Sequence, residues 1–312
     1  MSVVKKVLFI LVIFLSFRAS FGQQIPINPI SYRIFSPLVY NPAIAGSKDF
    51  FSTDFIAGFQ GKSSSQLISG NARIMKRVPG YTLSSKTAKF TNFGVGATAF
   101  NDKSDSMLTA GISAVLSYHI PLGQSSLSFL SIGVAGKGIY HRYDISDPAK
   151  DFKFPNADVG IYYYNPSFYT GVSATNILAP PSDTATINNY SVPVTRQYNF
   201  LAGYKFVLSR SLKLVLEPSI IITTDDSLSF NIKENIEPML RLYAGNFCLG
   251  TYFNDYNKVS FFFQYKYPKF YVGTFFALPK DSPFYKKSLT AEIAVGINFS
   301  RNRSGFTEDG HW

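Results

Sequence analysis

The side chains able to do acid–base, nucleophilic or metal chemistry are few and scattered. His119, His141 and His311 are the histidines, Cys248 is the one cysteine, and no HExxH, CxxC, GxSxG or phosphate-loop pattern occurs. Asp225-Asp226 and Glu234 with Glu237 come nearest to the paired carboxylates that general acid and base catalysis requires. The aspartates read as a turn and the glutamates as groups solvated in a loop or lumen. The expectation is a chain with no catalytic, cofactor or metal site.

More informative is a segment that shapes backbone. In Tyr40-Asn41-Pro42-Ala43-Ile44-Ala45-Gly46, the ring of Pro42 fixes its own φ near −65° and pushes Asn41 toward extended geometry, while Gly46 can take a positive φ. This is a bend, placed ahead of a long series of aromatic, alternating segments. Upstream, Lys5 and Lys6 precede the apolar run Val7 to Phe17, which is too short to cross a bilayer as a helix, and Ser20-Phe21-Gly22 supplies small residues before a cut. Residues 1–22 therefore read as an export signal, with cleavage between Gly22 and Gln23. The single cysteine, far from that site, excludes a lipoprotein anchor and an internal disulfide framework.

The composition is 46% hydrophobic and only 16% charged, yet no run of 18 apolar residues follows the signal. A helical membrane protein needs such runs, whereas a transmembrane β-barrel hides its hydrophobicity in every second residue of strands about ten residues long. Between 108 and 120 the set Leu108, Ala110, Ile112, Ala114, Leu116, Tyr118, Ile120 interleaves with Thr109, Gly111, Ser113, Val115, Ser117, His119. Near the C-terminus, Leu289, Ala291, Ile293, Val295, Ile297 and Phe299 interleave with Ser288, Thr290, Glu292, Ala294, Gly296 and Asn298. One face of each suits lipid and the other a lumen, where the charge of Glu292 is tolerable.

Alternation predicts strands near 50–59, 66–76, 91–100, 107–120, 126–141, 156–165, 168–177, 196–207, 212–223, 228–243, 246–254, 257–267, 269–278 and 288–299. The fold expected is all-β, an antiparallel outer-membrane barrel of about 14 strands. With both chain ends at the periplasm, the short connections fall on one side and the longer segments 142–155, 178–195 and 279–287 on the other, as in outer-membrane barrels. The organisation expected is 1–22 signal, 23–49 a periplasmic segment leading into the barrel, 50–299 barrel and 300–312 tail. The connection 77–90 is long for its side, and Lys76, Arg77, Lys86 and Lys89 around it form a candidate basic periplasmic patch for an acidic partner or lipid headgroups. The net charge of +11, three of it from Lys5, Lys6 and Arg18, accompanies no nucleic-acid-binding module, so nucleic acid is not an expected partner.

The stretch from Phe35 to Ser47 resembles the N-terminal signature of the PorP/SprF family, membrane proteins of type IX secretion and gliding motility in Bacteroidota. That signature reads NPLxYNPAxAG. Pro37, Tyr40, Asn41, Pro42, Ala43, Ala45 and Gly46 carry the match, with Ser36 where Asn is usual and Ile44 where an aromatic is usual. Leu249-Gly250-Thr251-Tyr252 and Ala294 to Phe299 look like the family's late and final strands. The resemblance implies a non-enzymatic barrel in the outer-membrane lipid without cofactors. Its partners would be a large secreted surface protein with a type B C-terminal sorting domain, or periplasmic components of the machine. The signature would sit at the periplasmic mouth, either contacting a partner or serving as a fixed chain entry that plugs or seals the barrel base. A passive solute or hydrophobic-substrate channel would use the same barrel, and a soluble β-sandwich would not expose sets such as Leu289 to Phe299.

Overall fold

A computed structural model describes residues 30–48, 51–60, 63–75, 90–104, 107–122, 128–142, 151–178, 186–187, 190–191, 196–225, 235–254, 258–266, 270–279 and 290–299. The chain opens with a short helix, α1 (Ile30–Phe35), and two single 3₁₀ turns, Pro37–Val39 and Pro42–Ile44. Strands β1 (Phe51–Gln60), β2 (Ser63–Met75), β3 (Phe90–Lys103), β4 (Leu108–Pro121), β5 (Phe129–Arg142), β6 (Asp151–Tyr164) and β7 (Phe168–Thr175) follow. A two-residue pair, β8 (Thr186–Ile187) and β9 (Tyr190–Ser191), lies apart from the main sheet. The second half comprises β10 (Gln197–Tyr204), β11 (Phe206–Ser209), β12 (Leu214–Asp225), β13 (Ile236–Ala244), β14 (Phe247–Asn254), β15 (Lys258–Lys266), β16 (Phe270–Pro279) and β17 (Thr290–Phe299).

Each strand pairs antiparallel with its neighbours, β17 returns to β1, and both β10 and β11 pair with β12. Because β10 and β11 are successive parts of one stave, the sheet closes with 14 staves, the number alternation predicts. Closure leaves no strand edge, so the described ladders satisfy their own backbone groups, which a bilayer interior demands.

The pleat decides what each residue faces. Along β4, Ile112, Leu116 and Tyr118 point outward, Ile112 with 68% of its surface exposed, while Val115, Ser117 and His119 are buried in the lumen. Along β17, Ala291, Ile293, Val295 and Ile297 face out and Glu292 and Ala294 face in, as expected. Outward aromatic pairs gather near one rim: Phe93 with Tyr118, Tyr204 with Phe206, and Phe247 with Tyr265, at ring separations of 5.0, 4.5 and 4.7 Å. That is where a membrane interface favours amphipathic rings.

This rim also carries the short connections 165–167, 210–213, 245–246 and 267–269, and both β1 and β17 have their chain-terminal ends there. We call it the turn end; in outer-membrane barrels it faces the periplasm. One expected loop is shorter than alternation suggested. Instead of 142–155, the β5–β6 ladder runs out to Arg142 opposite Asp151. Arg142 Nε and Nη2 donate to the two Asp151 carboxylate oxygens at 2.8 and 3.0 Å, and the Tyr140 hydroxyl donates to Oδ2 at 2.6 Å. Pro155, the last residue of that expected loop, sits inside the ladder opposite Gly138. The strand expected from 228 begins at Ile236, and residues 226–234 lie outside the described residues, as do Lys76, Arg77, Lys86 and Lys89.

The face assignment predicts that Ile112→Arg costs about 2–4 kcal/mol of barrel stability, the range for Arg near the midplane of a lipid-facing wall, whereas Ile112→Leu costs less than about 1.5 kcal/mol. Urea titration of the heat-modifiable band in detergent micelles and lipid vesicles measures both; equal midpoints would overturn the assignment.

Candidate functional site

The polar lumen that alternation predicts is largely occupied by the chain's own N-terminal segment. Residues 32–36 and 40–46 are buried, and they touch the inner wall on opposite sides. The segment expected at the barrel mouth, as a partner contact or as a plug of the barrel base, runs up inside the barrel. Its α1 end lies level with Ser65 and Asp102, near the ends of β2 and β3 remote from the turn end. Its Ala45-Gly46 end lies level with Asn71, Gly94 and His119, close to the turn end. The chain descends the lumen and passes into β1 at the bottom.

Local sequence explains the shape of this plug. Asn41 is extended, at φ −140° and ψ 107°, as the following proline requires, and its Oδ1 accepts from Ala43 N at 3.0 Å to cap the turn Pro42–Ile44. Gly46 takes φ +71°, and a Cβ there would meet Ala72 O at 3.0 Å and press on Gly94 Cα.

The wall is cut to receive it. Asn41 is fully buried, and its Nδ2 donates to Ile161 O at 3.1 Å and Val172 O at 3.3 Å, on β6 and β7. The pit it occupies exists because Gly160 and Gly171 present no side chain: a Cβ on Gly160 would overlap the Asn41 amide oxygen, and one on Gly171 would crowd its nitrogen. On β5, a Cβ at Gly133 would overlap Pro42 C and Ala43 N. Hydrogen bonds then fix the plug's carbonyls. Ser173 Oγ donates to Tyr40 O at 2.6 Å, while Ser117 Oγ and His119 Nε2 donate to Ala45 O at 2.6 and 2.9 Å. The Tyr164 hydroxyl donates to His119 Nδ1 at 3.0 Å, which keeps the ring proton on Nε2. Asn71 Oδ1 accepts from Gly46 N at 3.2 Å and Asn71 Nδ2 donates to Ser52 Oγ.

Charged contacts hold α1. Arg33 pairs with the buried Glu237 of β13, donates to the Tyr252 hydroxyl at 3.0 Å, and lies 4.9 Å from the centre of the Tyr40 ring. Tyr252 in turn donates to Glu237. On the opposite wall, the Tyr32 hydroxyl bonds Ser65 Oγ at 2.7 Å, and Ser65 donates to Asp102. Burial, reinforced by the Asp102 carboxylate, raises the Tyr32 phenol well above its ordinary pKa, so it stays a donor. Phe35 stacks on Tyr271 at 5.8 Å between ring centres and meets Phe262 edge-on. The helix thus bridges β2 and β3 on one side and β13 to β16 on the other.

Of the residues singled out by sequence, Asn41, Pro42, Ala43, Ala45 and Gly46 come together on β3 to β7, Tyr40 stacks with Arg33, and Pro37 borders the adjoining cavity. Arg33, Glu237 and His119 were missed as plug contacts. The parity of His119 places it inside, and Glu237 reads only as solvated in a loop or lumen; nothing in one sequence says what either meets there. Among the described residues no group of three His, Cys, Asp or Glu could hold a metal.

The description "Type IX secretion system membrane protein PorP/SprF" matches residues 23–297. The chain belongs to the PorP/SprF family. Its described barrel and that membership place it in the outer membrane, and the segment filling the lumen includes the stretch Pro37 to Gly46 singled out by sequence. Comparison with curated proteins finds no match. Among solved structures the chain is similar to Acinetobacter baumannii outer membrane protein Omp33, with a TM-score of 0.45 and 10% identity over 81% of this chain and 100% of that one. The KdgM porin gives a TM-score of 0.38 and 9% identity over 80% and 99%, and a Rh. blastica porin mutant 0.33 and 10% over 80% and 99%.

The fit between plug and wall predicts that Gly133→Val frees the plug while the barrel remains closed. A cysteine introduced by Ser36→Cys, at a site 1% exposed, should be protected from a water-soluble maleimide while Gly133 is kept. It should label at least about tenfold faster beside Gly133→Val, as loss of roughly 1.4 kcal/mol of docking energy would give. Cys248 is buried in the same cluster as Phe35 and Tyr40 of the plug, so the labelling is read in a Cys248→Ala background.

Proposed function

We propose that this PorP/SprF member is a non-enzymatic docking accessory of type IX secretion. In this reading it holds a secreted surface protein bearing a type B C-terminal domain, or anchors periplasmic components of the machine, and does not conduct solutes. The observation that carries the reading is the filled lumen. A channel needs a continuous wet path, whereas here α1 bridges opposite walls through Arg33–Glu237 and Tyr32–Ser65. A solute crossing this lumen would have to part the Arg33–Glu237 and Tyr32–Ser65 contacts and displace the apolar packing of Phe35 between them. Family membership supports partnership with the secretion machinery. A barrel that is closed inside offers partners its two rims: the turn end toward the periplasm, and the loop end where 178–195 connects β7 to β10.

Two assays test the reading. In a planar bilayer the intact protein should remain closed, and Arg33→Ala with Gly133→Val should raise conductance. In cells, deletion should leave general growth intact while one large surface protein is lost from the cell face. Shortening 178–195 should impair retention of that passenger, and neutralising Lys76, Arg77, Lys86 and Lys89 should weaken periplasmic association. Free conduction by the intact barrel, with uptake altered and no surface protein changed, would favour the channel.

A further inference from the structure

Charge is divided between the two ends of the barrel. The six connections that join described staves at the turn end carry seven Lys or Arg, four in 76–89, two in 210–213 and one in 267–269, and no Asp or Glu. At the loop end every connection except 61–62 contains an Asp. The flanking chain leaves this contrast as it is, because Lys48 adjoins Asp49 before β1, and beyond β17 Arg301 and Arg303 are matched in number by Glu308 and Asp309.

At this basic end the β11–β12 hairpin outruns its neighbour. β10 pairs with β7 as far as Tyr204 opposite Phe168, and Lys205 N donates to Ser167 O at 2.7 Å. There the β6–β7 turn closes, with Asn165 N donating to Phe168 O at 2.8 Å, while β11 runs on, paired only with β12. The register against β12 is the same on both sides of the joint, Gly203 opposite Ser219 and Phe206 opposite Leu216. Peptide groups therefore keep alternating through it, and Val207, two residues after Lys205, turns its N–H and C=O to the same side as the Lys205 amide. Among the described residues no strand meets them there. Beyond the closed ring of the wall, β11 is an open edge. Its side chains are open as well: Phe206, Val207 and Leu208 are exposed in succession, Val207 at 60%, and Leu212 in the turn is exposed at 71%. Arg210 and Lys213 flank Leu212, both exposed, and no Asp or Glu occurs from Tyr204 to Leu216.

We propose that the β11 edge is a docking site for an extended acidic segment of a periplasmic protein, which adds as a strand beside Val207 and sets Asp or Glu against Arg210 and Lys213. Strand addition gives partners to the backbone groups that the barrel leaves open, and it lays alternate side chains over both faces of β11. Lipid is the weaker occupant. It can cover the outward Phe206 and Leu208, but Val207 lies opposite the buried Val215 and so faces inward, and acyl chains offer its peptide groups no hydrogen bond. The acid-free rim favours anionic partners and disfavours basic ones. The inference rests on the anchoring half of the proposed function, with the turn end in the periplasm, and names the contact through which that anchoring acts.

The test is fluorescence anisotropy of a labelled, capped heptapeptide, two glutamates followed by Val-Thr-Val-Thr-Val, titrated at low salt with the full-length barrel in nonionic detergent. In antiparallel pairing this order puts the acids beside the hairpin turn. The peptide should bind one per barrel, and its glutamine analogue and its backbone N-methylated analogue should each bind at least about tenfold more weakly. Val207→Pro removes the open-edge N–H without touching the bonds to β12, and it should weaken the acidic peptide at least about tenfold, as should Arg210→Gln with Lys213→Gln, while the heat-modifiable band stays unchanged. No binding at millimolar peptide, equal binding of either analogue, or undiminished binding by the folded Val207→Pro barrel would overturn the proposal. So would exclusion of the peptide by phosphatidylglycerol in nanodiscs of otherwise neutral lipid, which would assign the hairpin to the membrane. The comparison peptides use the unaltered protein, so the test does not depend on a variant folding. The surface protein lost on gene deletion is read separately, so failure here leaves the accessory function standing.

Discussion

The buried amide of Asn41 is the contact on which the interior depends. Its oxygen shapes the turn that carries Pro42 to Ile44, and its nitrogen reaches carbonyls on β6 and β7. A polar group this deep is costly unless paired, by about 1–3 kcal/mol, so the pit must admit the whole side chain and align it. That demand explains the bare backbone at Gly160 and Gly171 opposite it. Placing Asn41 sets Pro42 and Ala43 against Gly133, and the following residues bring Ala45 O to Ser117 and His119. Where the wall lacks side chains, the plug supplies them.

This arrangement inverts the usual layout of a soluble domain. The outward face is apolar because lipid is its solvent, and the core of buried apolar residues lies within the ring of strands. There Phe35 and Tyr40 of the plug meet Met239, Tyr252, Phe262 and Tyr271 of the wall. The contacts are also remote in sequence, with Asn41 and Val172 separated by 131 residues and Arg33 and Tyr252 by 219. Others are nearer, Gly46 with Asn71 at 25 residues and Ser36 with Ser69 at 33, so the set is complete only once both near and distant staves have come together.

Alternation made the wall legible because lipid outside and lumen inside impose a period of two on every stave. It was blurred at two places. The stretch 142–155 reads as one loop, but the ladder runs out to the Arg142–Asp151 pair. The joint at Lys205 divides one stave into β10 and β11, a break in regularity that carries no special residue pattern. The interior was less legible. Asn41, Pro42 and Gly46 announced a bend through their own backbone preferences, which act locally. The partners of that bend are glycines scattered over β3, β5, β6 and β7, and a glycine in a strand looks alike whether it relieves a twist or accepts a neighbour. Arg33 and Glu237 show the same limit, since Arg33 lies in a segment expected outside the barrel and nothing in either residue's own neighbourhood says that the two face each other.

Only three residues separate Ser47, whose amide bonds Ile44 O at 3.0 Å, from Phe51 at the start of β1. A ligand tethered that closely meets its receptor at an effective concentration in the millimolar range or above. A displaced segment would therefore rebind its own barrel before a neighbour's, and a free copy of the same sequence would have to reach comparable concentrations to compete. Any agent that opens this lumen must then hold the strap aside for as long as it is to stay open, because the tether makes reclosure the default.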